Sequence, residues 1–284
     1  MAENPGHGHA RLVAGWRVMT CLTSVAASVG CAALTDSHYT PTADLRTFDT
    51  GVALHGTSLD LHVAVPPAPV SQTIVVYATG DGGWFGAAVG MFHAIAAQGY
   101  RTVGFSSRAF LRLERPRHEA LNPRQLAADY DAILGAARTA LGLPPATPVI
   151  LTGWSRGAAF AALAGSEPAL GPHTAGVVAI GLAADENLQI DEGDSDDGPG
   201  ASPADGTRVL LPYARLRQLG SVRSAVIQAE RDDYLAAAQS RQLFGADTAT
   251  RRLYAVPATN HRFSGQHAAF VAALADALAW VDAP

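Results

Sequence analysis

The stretch Val149-Ile150-Leu151-Thr152-Gly153-Trp154-Ser155-Arg156-Gly157-Ala158-Ala159-Phe160-Ala161-Ala162-Leu163 decides how the chain is read. Its first four residues are β-branched or aliphatic, as in a buried strand, and its last six have the composition of a helix. Between them stands G-x-S-x-G, whose glycines let the chain turn sharply from strand to helix and leave a serine hydroxyl exposed at the end of a sheet. In a chain with 28 glycines the motif alone is a weak signal, so the flanking strand and helix carry the inference. A helix starting directly behind Ser155 also favours negative charge beside it.

Outward from this segment, short apolar runs bounded by Gly and Pro alternate with Ala-rich helical stretches. That alternation marks a mostly parallel sheet with helices on both faces. Leu59–Val65, Thr73–Tyr77, Arg101–Phe105, Gly176–Gly181, Ser224–Ala229 and Arg251–Val256 read as further strands. Helices are expected over Ala87–Gln98, Pro123–Leu141, Tyr234–Phe244 and Gln266–Trp280, with Pro123 suited to a first turn, where its missing N–H loses no bond. The length of 284 residues fits one large domain, and 48% hydrophobic against 16% charged residues excludes a disordered chain. All 20 basic residues are Arg, which excludes a P-loop lysine, a Schiff-base lysine and a Ser-Lys dyad. A formal charge of −5 points away from nucleic acid as a partner.

A serine hydroxyl is a weak nucleophile until a base takes its proton, so Ser155 requires a histidine and an acid that orients it. His261 follows the last expected strand, and Asp232 follows the strand before it. The chain order Ser155, Asp232, His261 is that of α/β-hydrolases. Asp233 competes with Asp232, although it is the better helix cap of the two. His267 falls where the last helix begins, and His93 and His118 precede the serine, so His261 is the expected base. Thr79-Gly80-Asp81-Gly82-Gly83-Trp84 directly follows a strand and lets the main chain approach a substrate. Its Asp81 amide, with Gly82 as alternative, and the Arg156 amide are the expected oxyanion donors. No G-K-[ST] follows the loop, which argues against a nucleotide site.

Near the N-terminus, Arg11 and Arg17 precede an apolar stretch of small residues from Val18 to Gly30, the pattern of a secretory leader. Residues 1–30 are therefore expected to be a signal peptide, 31–47 a linker and 48–284 the catalytic domain. Cys31 resembles the anchored residue of a bacterial lipoprotein, with Ser28 where Leu is usual. The only other cysteine is Cys21, so no disulfide is expected to support the fold. The Asp- and Gly-rich segment 191–206 reads as a surface insertion.

Thr79–Trp84, Pro123 with Gln125-Leu126-Ala127-Ala128-Asp129, Gly153–Gly157 and Asn260–Phe263 together resemble the bacterial virulence protein VirJ/AcvB family of α/β-hydrolases. The resemblance implies a periplasmic hydrolase of aminoacyl phosphatidylglycerol, notably the lysyl form. It implies Ser155 as nucleophile, His261 as base and Asp232 as orienting acid. The chain departs from the family in keeping only part of an aromatic segment at Ser106–Arg112 and in carrying Arg156 where Phe is usual. That cation beside Ser155 would favour an anionic substrate. Arg108, Arg112, Arg115 and Arg117 are candidates for meeting a lipid phosphate, and Glu186, Asp191 and Glu192 for meeting a cationic aminoacyl group. Neither metal nor organic cofactor is required by this chemistry. Two other readings use the same sequence: a general periplasmic esterase, and a non-catalytic adaptor for a secretion-system partner.

Overall fold

The computed structural model describes residues 44–113, 121–189 and 209–283. The expected leader 1–30 with Cys21, Cys31, Arg115, Arg117, His118, Asp191, Glu192 and the segment 191–206 lie outside the described residues.

Eight strands form one sheet in the order β1-β2-β4-β3-β5-β6-β7-β8. In chain order they are β1 (Arg46–Leu54), β2 (Thr57–Val65), β3 (Ile74–Ala78), β4 (Arg101–Phe105), β5 (Val149–Trp154), β6 (Thr174–Ile180), β7 (Arg223–Ala229) and β8 (Arg251–Val256). β1 and β2 form an antiparallel ribbon, β2 joins β4 antiparallel, and β3 to β8 run parallel. Successive side chains of a strand point to opposite faces, and both faces here are apolar. Val76, Leu151, Val177 and Val226 enter one core, while Val75, Ile150, Val178 and Ile227 enter the other.

The first core is covered by α3 (Pro123–Leu141), α4 (Arg156–Gly165), α5 (Pro212–Leu216) and α6 (Ala237–Phe244). The second is covered by α1 (Gly86–Ala97) and α7 (His267–Asp282). In α3, Leu126, Ala127, Tyr130, Ile133, Leu134 and Ala137 recur at helical spacing and form the buried stripe. Asn122 caps this helix by accepting from Gln125 N–H at 3.1 Å, and the Gln125 side chain accepts from Asn122 N–H at 3.2 Å. Buried Asp129 binds His55 Nε2 at 2.8 Å, which fastens the turn of the β1–β2 ribbon to α3. No helix among the described residues is long and apolar enough to cross a membrane.

Several expectations need correction. β1 and the short helix α2 (Ser107–Leu111) were not expected, and α6 begins at Ala237 instead of Tyr234. The delay has a local cause: Asp232 accepts from Tyr234 N–H at 2.9 Å and holds that stretch as a turn. Asp233 is exposed and does not cap the helix, whose N-cap is Ala236.

Candidate active site

The turn after β5 is forced by close backbone approach. A Cβ placed on Gly153 would lie 2.2 Å from the Gly157 carbonyl, and one on Gly157 would lie 2.0 Å from the Ala78 oxygen. Only glycine fits at either position, so both glycines of the motif have a steric reason. Ser155 between them takes φ 58° and ψ −122°, a left-handed conformation that costs a β-carbon-bearing residue on the order of 1–3 kcal/mol. Ser155 N–H donates to the Ile180 carbonyl at 2.9 Å, which ties the turn to the end of β6.

His261 comes to the same edge from the loop after β8. A Cβ built on Gly181, one residue beyond Ile180, would meet His261 Cε1 at 2.8 Å, so the imidazole lies flat against the backbone that anchors Ser155. Trp154 Nε1 donates to the His261 carbonyl at 3.1 Å, fixing the loop that carries the ring. Nδ1 lies 2.8 Å from Asp232 Oδ2 and 3.0 Å from Oδ1. The Asp232 side chain is 0% exposed and also accepts from Gln228 Nε2 at 3.1 Å. A carboxylate placed against Nδ1 fixes which imidazole nitrogen carries hydrogen. The opposite nitrogen, Nε2, is buried without a hydrogen-bond partner among the described residues, so Ser155 and His261 are not bonded to each other in this structure. Such bonds commonly close only when substrate is present. His267 opens α7, and His93 lies on α1.

The loop after β3 completes the arrangement. A Cβ on Gly80 would lie 3.1 Å from Ser155 Cβ, so this loop touches the serine directly. Ser107 Oγ donates to the Gly80 carbonyl at 2.8 Å and holds that contact. Trp84 packs against Gly104, where any Cβ would meet the indole at 2.5 Å, and stacks on His62 at 3.9 Å. The loop is thereby anchored at both ends, with Asp81 and Gly82 between the anchors.

Arg156 behaves differently from the expectation of a cation available to substrate. Its Nε lies 2.7 Å from Asp81 Oδ1 and 3.3 Å from Glu186 Oε1, so two carboxylates share one guanidinium. Glu186 is only 8% exposed, and its Oε1 also accepts from Asn187 and Leu188 N–H at 3.0 and 2.9 Å. Burial pushes this carboxyl above its ordinary value, while Arg156 and the two backbone bonds pull it back. Glu186 is thus committed to Arg156 and not presented to a cationic ligand. Trp154, Gln228 and the Asp81–Arg156–Glu186 cluster were not foreseen as parts of the site. The position of Trp154 inside the serine motif was the one signal available for the first.

Sheet order, the strained serine after β5 and the loops gathered at the carboxyl edge define an α/β-hydrolase fold. The fold is shared with the esterase domain of a Rhodothermus marinus protein (19% identity, 83% of this chain and 98% of that one, TM-score 0.53). It is shared too with an alpha-beta serine hydrolase homologue from Coxiella burnetii (13%, 80% and 95%, TM-score 0.55) and a dienelactone hydrolase from Anabaena variabilis (17%, 82% and 97%, TM-score 0.54). Residues 72–187 match the family described as Bacterial virulence protein (VirJ). The matched residues run from Gln72, just before β3, through Ser155 to Asn187; Asp232 and His261 follow them. No curated protein matches the chain.

Proposed function

We propose that the chain is a serine ester hydrolase whose substrate is an aminoacyl phosphatidylglycerol, the lysyl form above all, met at a membrane surface outside the cytoplasm. The observation that carries the serine chemistry is the buried imidazole of His261, bonded to Asp232 through Nδ1, with Nε2 unpartnered and the ring against the backbone that anchors Ser155. The aminoacyl lipid is supported by the VirJ match across the oxyanion loop and the nucleophile turn. Export through the leader 1–30, with Cys31 as a lipid attachment point, accords with such a substrate.

In this mechanism Ser155 Oγ attacks the ester carbonyl while its proton passes to His261 Nε2. Negative charge on the carbonyl oxygen is met by the amides of Arg156 and Asp81. Collapse of the tetrahedral intermediate breaks the bond to the glycerol oxygen, which takes the proton back from His261. Water then attacks the aminoacyl-serine, again giving its proton to Nε2, and releases the amino acid with Ser155 restored.

The test is labelling with a fluorophosphonate, peptide mapping, and release of lysine from lysyl-phosphatidylglycerol vesicles. Label on Ser155, together with lysine release that Ser155→Ala abolishes, is expected. Label elsewhere, or release undiminished in that variant, rejects the nucleophile. Labelling of Ser155 without lysine release rejects the substrate.

A further inference from the structure

We infer that the cleft beside the oxyanion loop is a subsite for a phosphate carried on the alcohol part of the ester, held by Arg108 and Arg112. The inference rests on Ser155 being the nucleophile, as proposed above. The cleft has a volume of about 600 Å³, and its walls come from the start of β2, from Gly82 to Phe85, and from Ser106 to Leu113. All three walls lie at one edge of the sheet. Because β2 runs antiparallel to β4, its first residues reach the edge where β3 and β4 end, which is the edge that carries Ser155.

The loop itself sets how far this cleft lies from the serine. Gly80 abuts Ser155, while a Cβ on Gly83 would lie 3.7 Å from Arg108 Cβ. Gly83 N–H donates to the Gly80 carbonyl at 3.1 Å, which closes a turn whose first and fourth Cα atoms stand within about 7 Å. In an ester of glycerol phosphate, about six bonds, or roughly 7 Å of extended chain, separate the scissile carbonyl from phosphorus. One turn of the loop and the alcohol part of such a substrate are therefore of comparable length.

Charge distribution gives the cleft its direction. Arg108 is half-buried and Arg112 exposed, one helical turn apart, so their guanidinium groups share a face. Among the described residues no carboxylate lies within ion-pair distance of either, whereas Arg156 is engaged by Asp81 and Glu186. Asp60 lines the opposite wall and would repel a phosphate toward the arginines. Planar guanidinium groups present paired N–H donors matched to phosphate oxygens.

The experiment uses water-soluble matched esters: lysyl and butyryl groups, each on glycerol and on glycerol phosphate, so that no membrane surface contributes. The wild-type protein should prefer the phosphate-bearing member roughly tenfold or more, through KM, in every acyl series it cleaves. The Arg108→Gln/Arg112→Gln protein should lose that preference. Inorganic phosphate should compete with the phosphate-bearing ester for the wild type and lose potency against Arg112→Gln alone, an exposed substitution that leaves packing intact. Equal kcat/KM for both members in the wild type, or a preference that survives the double substitution, overturns the subsite. Cleavage of butyryl but not lysyl esters rejects the aminoacyl substrate while the butyryl pair still reads the phosphate preference. Failure to cleave any member overturns both proposals.

Discussion

Arg156 Nε lies 2.7 Å from Asp81 Oδ1, so the two residues whose amides are proposed to meet the oxyanion are joined through their side chains. Their backbones belong to different segments, one after β3 and one at the start of α4. The ion pair therefore ties the two donor segments together. Donors of this kind act by being in place before charge develops, and spacing that needs no rearrangement is where the pair contributes. Glu186 supports the same guanidinium, at 3.3 Å from Nε.

Asp81→Ala should accordingly lower kcat roughly tenfold, less than the loss of a donor amide itself, with little change in KM. Its melting temperature should stay close to that of the wild type, because a half-exposed ion pair adds little to stability. Steady-state kinetics on a soluble nitrophenyl ester, paired with a thermal melt, reads both quantities. A change confined to KM would assign the pair to substrate binding instead.

Asp232→Asn should reduce kcat by a factor on the order of 10³–10⁴ on the same ester. The amide can still accept from Tyr234 N–H, so the turn survives, but its NH₂ can face Nδ1 and favour the wrong tautomer of His261. A circular dichroism spectrum matching the wild type, alongside the lost turnover, is the expected pair of results. A loss below tenfold would remove Asp232 from the chemistry.

Glu186→Gln should flatten the dependence of stability on pH in mildly acidic solution. Burial raises the carboxyl in the folded protein, so the folded state holds this proton more tightly than the unfolded chain. The contribution is fully present below the unfolded-state value and is lost as pH rises through the folded one. Gln keeps an acceptor for Asn187 and Leu188 and carries no proton to lose. Melting temperatures of the two proteins across this range should therefore diverge with pH, the wild type falling relative to the variant. Parallel curves would show that Glu186 does not titrate in that window.

Gly157→Ala and Gly135→Ala should move stability in opposite directions. A methyl group on Gly157 meets the Ala78 oxygen at 2.0 Å and cannot be accommodated without separating α4 from β3, at a cost of about 3 kcal/mol or more. Gly135 lies exposed within α3 with nothing near its Cβ position, so alanine there should stabilise by about 1 kcal/mol. Urea unfolding of both variants measures the two signs.

The parallel strands, α3 and the loops bearing Ser155, Asp232 and His261 could be read from sequence because apolar runs and their Gly or Pro boundaries are local signals. β1 escaped because it lies at the sheet edge and pairs with β2 alone; its inward positions alternate, but only Val52 and Leu54 are buried, so its apolar signal is weak. α2 has five residues, too few for a helical period to show. The pairing of Arg156 depends on carboxylates from two distant segments, and only the folded sheet brings Asp81 and Glu186 to one guanidinium. The place of Arg156 beside Ser155 was evident from sequence, but its engagement by two carboxylates was not.

The left-handed backbone at Ser155 sets durability against competence at a single residue. Glycine there would release the conformational penalty and give a hardier but inert molecule, with a higher melting point than the active form. Selection for heat resistance alone would erode this position first, so an ancestral or laboratory lineage that lost its enzymatic role should drift toward Ser155→Gly while the rest of the sheet stays intact.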